Sequence, residues 1–169
     1  MSPIALSHLL NHVADMVQGV GEGRSLTDLL GRVPAAARAG TQALSFEVLR
    51  RLGGAQAVRS VVAAKAPPPA VDALLVSAIA LLWPAAPGVR PAYPDHTLVD
   101  QAVHGARQRA PAAAAFVNAV LRRFLREAWP AILSARPDAT LTALGGDEAT
   151  AIVAADPLLR QHGVTVLRH

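Results

Sequence analysis

Residues 71–83, VDALLVSAIALLW, are apolar nearly all the way round a helical wheel, with only Asp72 and Ser77 interrupting. A helix of that kind belongs in the middle of a bundle, enclosed by other helices. The triple proline at 67–69 ends whatever helix precedes it and can start the next, and Pro84 follows directly after Trp83. The apolar run, counted from Ala70, is fourteen residues long, too short to cross a bilayer of ordinary thickness. A buried central helix therefore needs neighbours, and the rest of the chain has the patterning to supply them.

Leu6, Leu10, Val13 and Val17 share a face with Leu9 and Met16, opposite His8, His12 and Asp15, so residues 4–18 read as an amphipathic helix closed by Gly19, Gly21 and Gly23. Ser25 ahead of Leu26, with Asp28 in the first turn, predicts a short second helix to Gly31. Pro34 opens a third over 35–52, with Leu44, Val48 and Leu52 joined by Phe46 and Leu49. Glu47 in that helix is well spaced for Arg50 and Arg51. Gly53 and Gly54 read as a stop, followed by a helix over 55–66 carrying Val58, Val61 and Val62. After the proline-rich loop 85–94, Asp95 or Thr97 is placed to cap a helix that turns Leu98, Val99, Ala102, Val103 and Ala106 inward.

Pro111 opens the last and most informative segment, PAAAAFVNAVLRRFLRE, read as one helix over 111–127. Phe116, Val120 and Phe124 line up with Val117, Leu121 and Leu125 as an apolar arc, and Arg122, Arg123 and Arg126 fall together opposite it. The expectation is an all-α bundle of about seven helices with short connections over 1–129, and a boundary near 130–137. Residues 130–169 form a tail of weak periodicity, in which 147–155 reads as a short helix and 163–168 as a strand with no obvious partner.

The chain of 169 residues is 52% hydrophobic, enough for a core of normal size. It contains no cysteine, which excludes disulfides, Cys-ligated zinc, iron–sulfur clusters and thiol nucleophiles. No Walker loop, dinucleotide fingerprint, H-E-x-x-H or G-x-S-x-G is present, and the glycines at 19–23 follow a helix rather than a strand. His8 and His12 stand i, i+4 with Asp15 beyond, a spacing able to hold a divalent metal; with no third or fourth ligand, solvated histidines are the better reading. Asp100, His104 and Arg107 form an i, i+4, i+7 ladder without a nucleophile or pocket, and read as surface ions. Asn118, at the edge of the apolar arc, reads as a structural tie to a neighbouring helix or loop.

The formal net charge is +4, and Lys65 is the only lysine, so the positive charge is almost wholly arginine. Guanidinium is the cation suited to forked phosphate contacts, and Arg50, Arg51, Arg122, Arg123 and Arg126 are the candidates for touching a nucleic-acid backbone. The N-terminus lacks the basic region and uninterrupted apolar stretch of a signal peptide, so the expected compartment is the cytoplasm, with no membrane partner.

FVNAVLRRFLRE, preceded by VDQAVHGAR, ALSFEVLRRL and KAPPPAVDALLVSAIALL, resembles the NusB-like RNA-binding domain that precedes the catalytic domain of bacterial 16S rRNA cytosine-C5 methyltransferases of the RsmB/Sun (Fmu) type. The resemblance covers 4–127 with the motifs in family order, and VNAVLRRF is its most specific part. It implies a helical fold of two small subdomains and an RNA partner, most naturally rRNA. The antitermination factor NusB shares that fold, but its motif is closer to FVNGVLD and its arginine-rich first helix has no counterpart in 4–18.

The family's catalysis depends on a cysteine and on a second, strand-rich domain that binds S-adenosylmethionine. With no cysteine and an end at His169, this chain is expected to bind RNA without catalysis, and with no cofactor of its own. Two alternatives stay open. One is an antitermination-style adaptor docking a ribosomal protein or an identical subunit; the other is the RNA-binding half of a split methyltransferase, where S-adenosylmethionine would belong to a separate catalytic subunit. In the tail, TLTAL faintly resembles the family's interdomain linker, and the last nineteen residues resemble the end of small YCII-type proteins.

Overall fold

In a computed structural model of the chain, residues 2–85 and 88–130 are described. They form seven α-helices and no strand: α1 (Leu6–Gly21), α2 (Leu26–Gly31), α3 (Ala35–Arg50), α4 (Leu52–Val62), α5 (Pro69–Leu82), α6 (Asp95–Arg109) and α7 (Ala114–Arg123). A 3-10 turn, Pro111–Ala113, leads into α7, and a π-helical turn, Phe124–Ala128, continues it. The expected single helix over 111–127 is thus three consecutive segments on one path. The readings made for the tail fall outside the described residues beyond 130.

The apolar segment is the centre of the bundle. α5 packs against α1, α3, α4, α6 and α7, and Leu74, Leu75, Ala78, Ile79 and Ala80 are fully buried along it. Ser77 is buried there without penalty because its hydroxyl donates to the Ala73 carbonyl at 2.7 Å. Around α5, α1 presents Leu10, Val13 and Val17, and α6 presents Leu98, Val99, Ala102 and Ala106, as their periodicity predicts. A smaller cluster, Met16, Leu29, Leu30, Val33 and Ala37, closes the end where α1, α2 and α3 meet.

The glycines do not all act as stops. Gly19 and Gly21 lie inside α1, and Gly23, at φ 86°, is the residue that ends it. There the Gly23 N–H donates to the Val20 carbonyl at 2.9 Å and the Arg24 N–H to Gly19 at 2.9 Å, the paired bonds of a Schellman ending. Gly53 and Gly54, expected to separate two helices, are the second and third residues of α4. The break falls instead at Arg51, whose backbone (φ −114°, ψ 8°) is non-helical. Gly54 is small for a packing reason: a Cβ there would lie 3.2 Å from the Trp83 ring.

Two aromatic expectations are corrected. Phe116 was placed on the apolar arc of the last helix, yet it is 38% exposed, whereas Phe124 is fully buried and meets Trp83 with ring centroids 6.5 Å apart. The arc that packs is Val117, Val120, Leu121 and Phe124, and Phe116 lies roughly 100° round from its centre. Phe46 on α3 likewise faces out, at 44% exposure, while Leu44 and Val48 pack.

Polar ties join the helices. Arg109, at the end of α6 and only 13% exposed, donates to the carbonyls of Ala70 (3.0 Å) and Asn11 (3.0 Å) and pairs with Asp15. Asn11 donates to the Gly105 carbonyl at 3.2 Å, and Gly105 lets α6 approach α1 there, since a Cβ would sit 3.3 Å from Asn11 and from the Ser7 carbonyl. Arg59 of α4 meets Asp72 of α5 at 2.8 Å. Burial raises the Asp72 pKa, with the Arg59 charge opposing.

Candidate nucleic-acid interface

The outer face of α7 and its π-helical turn carries Arg122, Arg123 and Arg126, all exposed. Their placement follows from the buried side: once Val117, Leu121 and Phe124 turn into the core, helical spacing forces the arginines outward. Their surroundings differ. Arg122 donates from Nε to the Asn118 side-chain oxygen at 3.1 Å and has no carboxylate partner among the described residues. Asn118 therefore holds the arginine one turn ahead of it on its own helix, rather than bonding a neighbouring element as its position suggested.

Arg123 is committed to the fold. It donates to the Val62 carbonyl at the end of α4 (3.1 Å) and from Nε to Glu127 at 2.8 Å. Arg126 is 68% exposed and lies 3.5 Å from the other Glu127 oxygen. Held chiefly by its hydrogen bond from Arg123, and by the charges of both arginines, the Glu127 carboxyl stays below its ordinary pKa and remains ionised at neutral pH.

The other doublet divides in the same way. Arg50 is 70% exposed and pairs with Glu47 at 3.0 Å, the i, i+3 contact its spacing predicts. Arg51 is half-buried and donates to the Ala80 carbonyl at 3.3 Å, tying the α3–α4 junction to the last turn of α5. Packing of Gly54 on Trp83, and of Trp83 on Phe124, connects this junction to the π-helical turn.

Between α6 and α7 runs an open groove of about 820 Å³. Asn118 and Arg122 of α7 and Leu125 of the π-helical turn form one wall; Asp95, Asp100, Val103 and Arg107 lie along α6, with His96 and Thr97 near one end. Arg107 is the residue that sequence reasoning assigned to a surface ladder. No hydrogen bond links Asp100, His104 and Arg107 among the described residues; Arg107 instead joins Arg122 in the groove, both without a carboxylate partner. Its spacing on α6 carries no signal of this; only the packing of α7 on α6 brings the two arginines to one groove. Partial burial raises the Asp95 pKa, with His96 opposing.

The metal spacing on α1 does not assemble: among the described residues no group of three or more His, Asp or Glu converges, and Asp15 is taken by Arg109. No described helix is long and apolar enough to cross a membrane. Neither a protein-family model nor a curated protein matches the chain.

Proposed function

We propose that this chain is an RNA-binding module with a NusB-like helical fold, related to the N-terminal domain of 16S rRNA cytosine-C5 methyltransferases, and that it holds rRNA without carrying out catalysis. The observation that carries this reading is the pair Arg122 and Arg107 in the α6–α7 groove, continued by Arg126 on the outer face, in a bundle whose charge is almost wholly arginine. Forked guanidinium groups without carboxylate partners are free to take phosphate oxygens, which position a nucleic acid without reading its sequence. The order of the helices supports the resemblance: the VNAVLRRF segment packs on the helix of the VDQAVHGAR segment, and both pack on the apolar α5. Methyl transfer is outside the proposal, because the sequence has no cysteine and the described residues have no strand to build the S-adenosylmethionine-binding sheet of that family.

The test is the salt dependence of binding to fragments of 16S rRNA. R122A/R126A, two exposed changes that leave the structural Arg123 in place, should weaken binding at every salt concentration and flatten the log K against log[salt] line by about 0.7–0.9 per lost phosphate contact. Wild-type affinity and slope in that variant would remove the site. Wild-type protein that binds no RNA at low salt would remove the function.

A further inference from the structure

The α6–α7 groove holds charges of both signs, and the proposed phosphate contacts use only the positive ones. On α6, His96, Asp100, Val103 and Arg107 follow one another at i, i+4, i+7 and i+11, a single stripe, with Asp95 beside it in the first turn. Across the groove stand Asn118, Arg122 and Leu125. With His96 neutral, the two arginines and two aspartates sum to zero formal charge. No ion pair joins any of the four among the described residues. Arg122 is turned instead to the Asn118 side-chain oxygen at 3.1 Å, and Asp100 takes only a 3.5 Å contact from the Gln101 amide. Partial burial raises the Asp95 pKa, and the charge that opposes this is that of His96 rather than of either arginine. Both carboxylates therefore face the groove as uncompensated acceptors.

Resting on the RNA-binding reading of this groove, we infer that Asp95 and Asp100 determine its specificity. They turn away bare polyanions and admit a strand whose hydrogen-bond donors, ribose hydroxyls or base amines, meet the carboxylates while its phosphates meet Arg107 and Arg122. A groove meant to attract any polyanion would be cationic throughout, because that attraction is sequence-independent and grows with net positive charge. Here a phosphate that reaches the arginines also meets the aspartates. By helical rise Asp100 stands roughly 10 Å from Arg107, about one Debye length in 0.1 M salt, so its repulsion extends to a phosphate held between them. An ionised carboxylate only accepts hydrogen bonds, and a phosphodiester linkage offers none. A ribonucleotide supplies both kinds of group within one repeat, phosphate oxygens for guanidinium and a hydroxyl or amine for carboxylate. Discrimination of this kind is set by the repulsive element as much as by the attractive one.

The probes are a 16S rRNA fragment and inorganic polyphosphate with the same number of phosphates, which carries the charge without the donors. Wild type should bind the rRNA fragment more tightly than polyphosphate. D95N/D100N should tighten polyphosphate binding by about 5- to 10-fold and rRNA binding by less than about 2-fold, so that the preference collapses. D100N alone keeps the acidic residue in the first turn of α6 and should move the preference the same way by about 2- to 3-fold, whatever D95N does to the helix. D100E, which restores the charged acceptor, should keep the wild-type preference. Equal tightening of both probes in D95N/D100N overturns the inference, because the carboxylates would then only repel. No change with either probe overturns it too, because the carboxylates would then not face the ligand; impaired rRNA binding by R122A/R126A would still leave the proposed RNA function standing. If wild type binds no rRNA fragment at low salt, both fall.

Discussion

Thr41 and Ser45 sit one turn apart on α3, both fully buried, and neither hydroxyl has a hydrogen-bond partner among the described residues. A buried unpaired hydroxyl loses its water without replacement, a cost of about 1–3 kcal/mol. T41V keeps the shape and removes the polar atom, so it should stabilise the bundle by about 1 kcal/mol in urea unfolding; a loss of stability would mean that the hydroxyl is satisfied. Nothing in the sequence marks these two, because Thr and Ser on a helix ordinarily read as surface or as bonded to the preceding turn. Glu127 belongs to the same scale and has the opposite sign from Asp72. Its folded pKa lies below the ordinary value, so its contribution to stability is present above that value and disappears as pH falls through the folded pKa. For Asp72, raised by burial, the contribution is complete at low pH and is lost as pH rises through its folded pKa. The stability difference between wild type and E127Q should therefore be seen at neutral pH and close in acid. E127Q should also bind RNA more tightly at neutral pH, since the carboxylate that holds Arg123 and Arg126 is gone. Unchanged affinity would show that Glu127 does not compete with phosphate.

At the scale of elements, the helices were legible wherever one face had to be buried, and their ends and orientation were less so. α5 announces its place because Asp72 and Ser77 alone interrupt its apolar surface, and the inward positions of α6 match their periodicity one by one. The two phenylalanines of α7 show the limit. Both lie eight residues apart on an apolar arc by spacing, yet the helix rotates to bury Phe124 against Trp83, and Phe116 is left at the edge. Which edge of a wide arc turns outward depends on the partner surface, which periodicity does not contain. F124A should cost about 3–5 kcal/mol and F116A less than about 1 kcal/mol, measured by chemical unfolding; equal costs would refute this placement. Gly53 and Gly54 were misread as a stop for a similar reason, since the close approach of Trp83 is a tertiary fact. Arg109 was missed because one arginine among many carries no local signal, and only the meeting of α1, α5 and α6 gives it its carbonyl partners. R109M keeps the aliphatic stem and strands those carbonyls, and should destabilise by about 2–3 kcal/mol.

Across the whole molecule, the five arginines chosen from sequence separate by what the fold asks of them, and that separation ranks their effects. Arg51 and Arg123 give hydrogen bonds to carbonyls at the ends of α5 and α4, so they hold the bundle together before they meet any ligand. Among the described residues Arg122 makes no ion pair, though Asp95 and Asp100 line the same groove, Arg126 shares Glu127 at 3.5 Å, and Arg50 meets Glu47 at 3.0 Å. A carboxylate neutralises part of the charge that a phosphate would otherwise meet, so counterion release should fall in the same order. The slope of log K against log[salt] on a single-stranded probe should drop most for R122A, by about 0.7, less for R126A and least for R50A. R107A should resemble R122A, because both guanidinium groups line one groove. R51A and R123A should instead lower the midpoint of urea unfolding, and any loss of affinity should track the loss of folded protein. The ordering of the exposed positions tests the electrostatics, and the split between exposed and structural positions tests the fold. If all five substitutions flattened the salt slope equally without altering stability, the carbonyl contacts of Arg51 and Arg123 would not hold in solution, and the phosphate track would extend over both doublets.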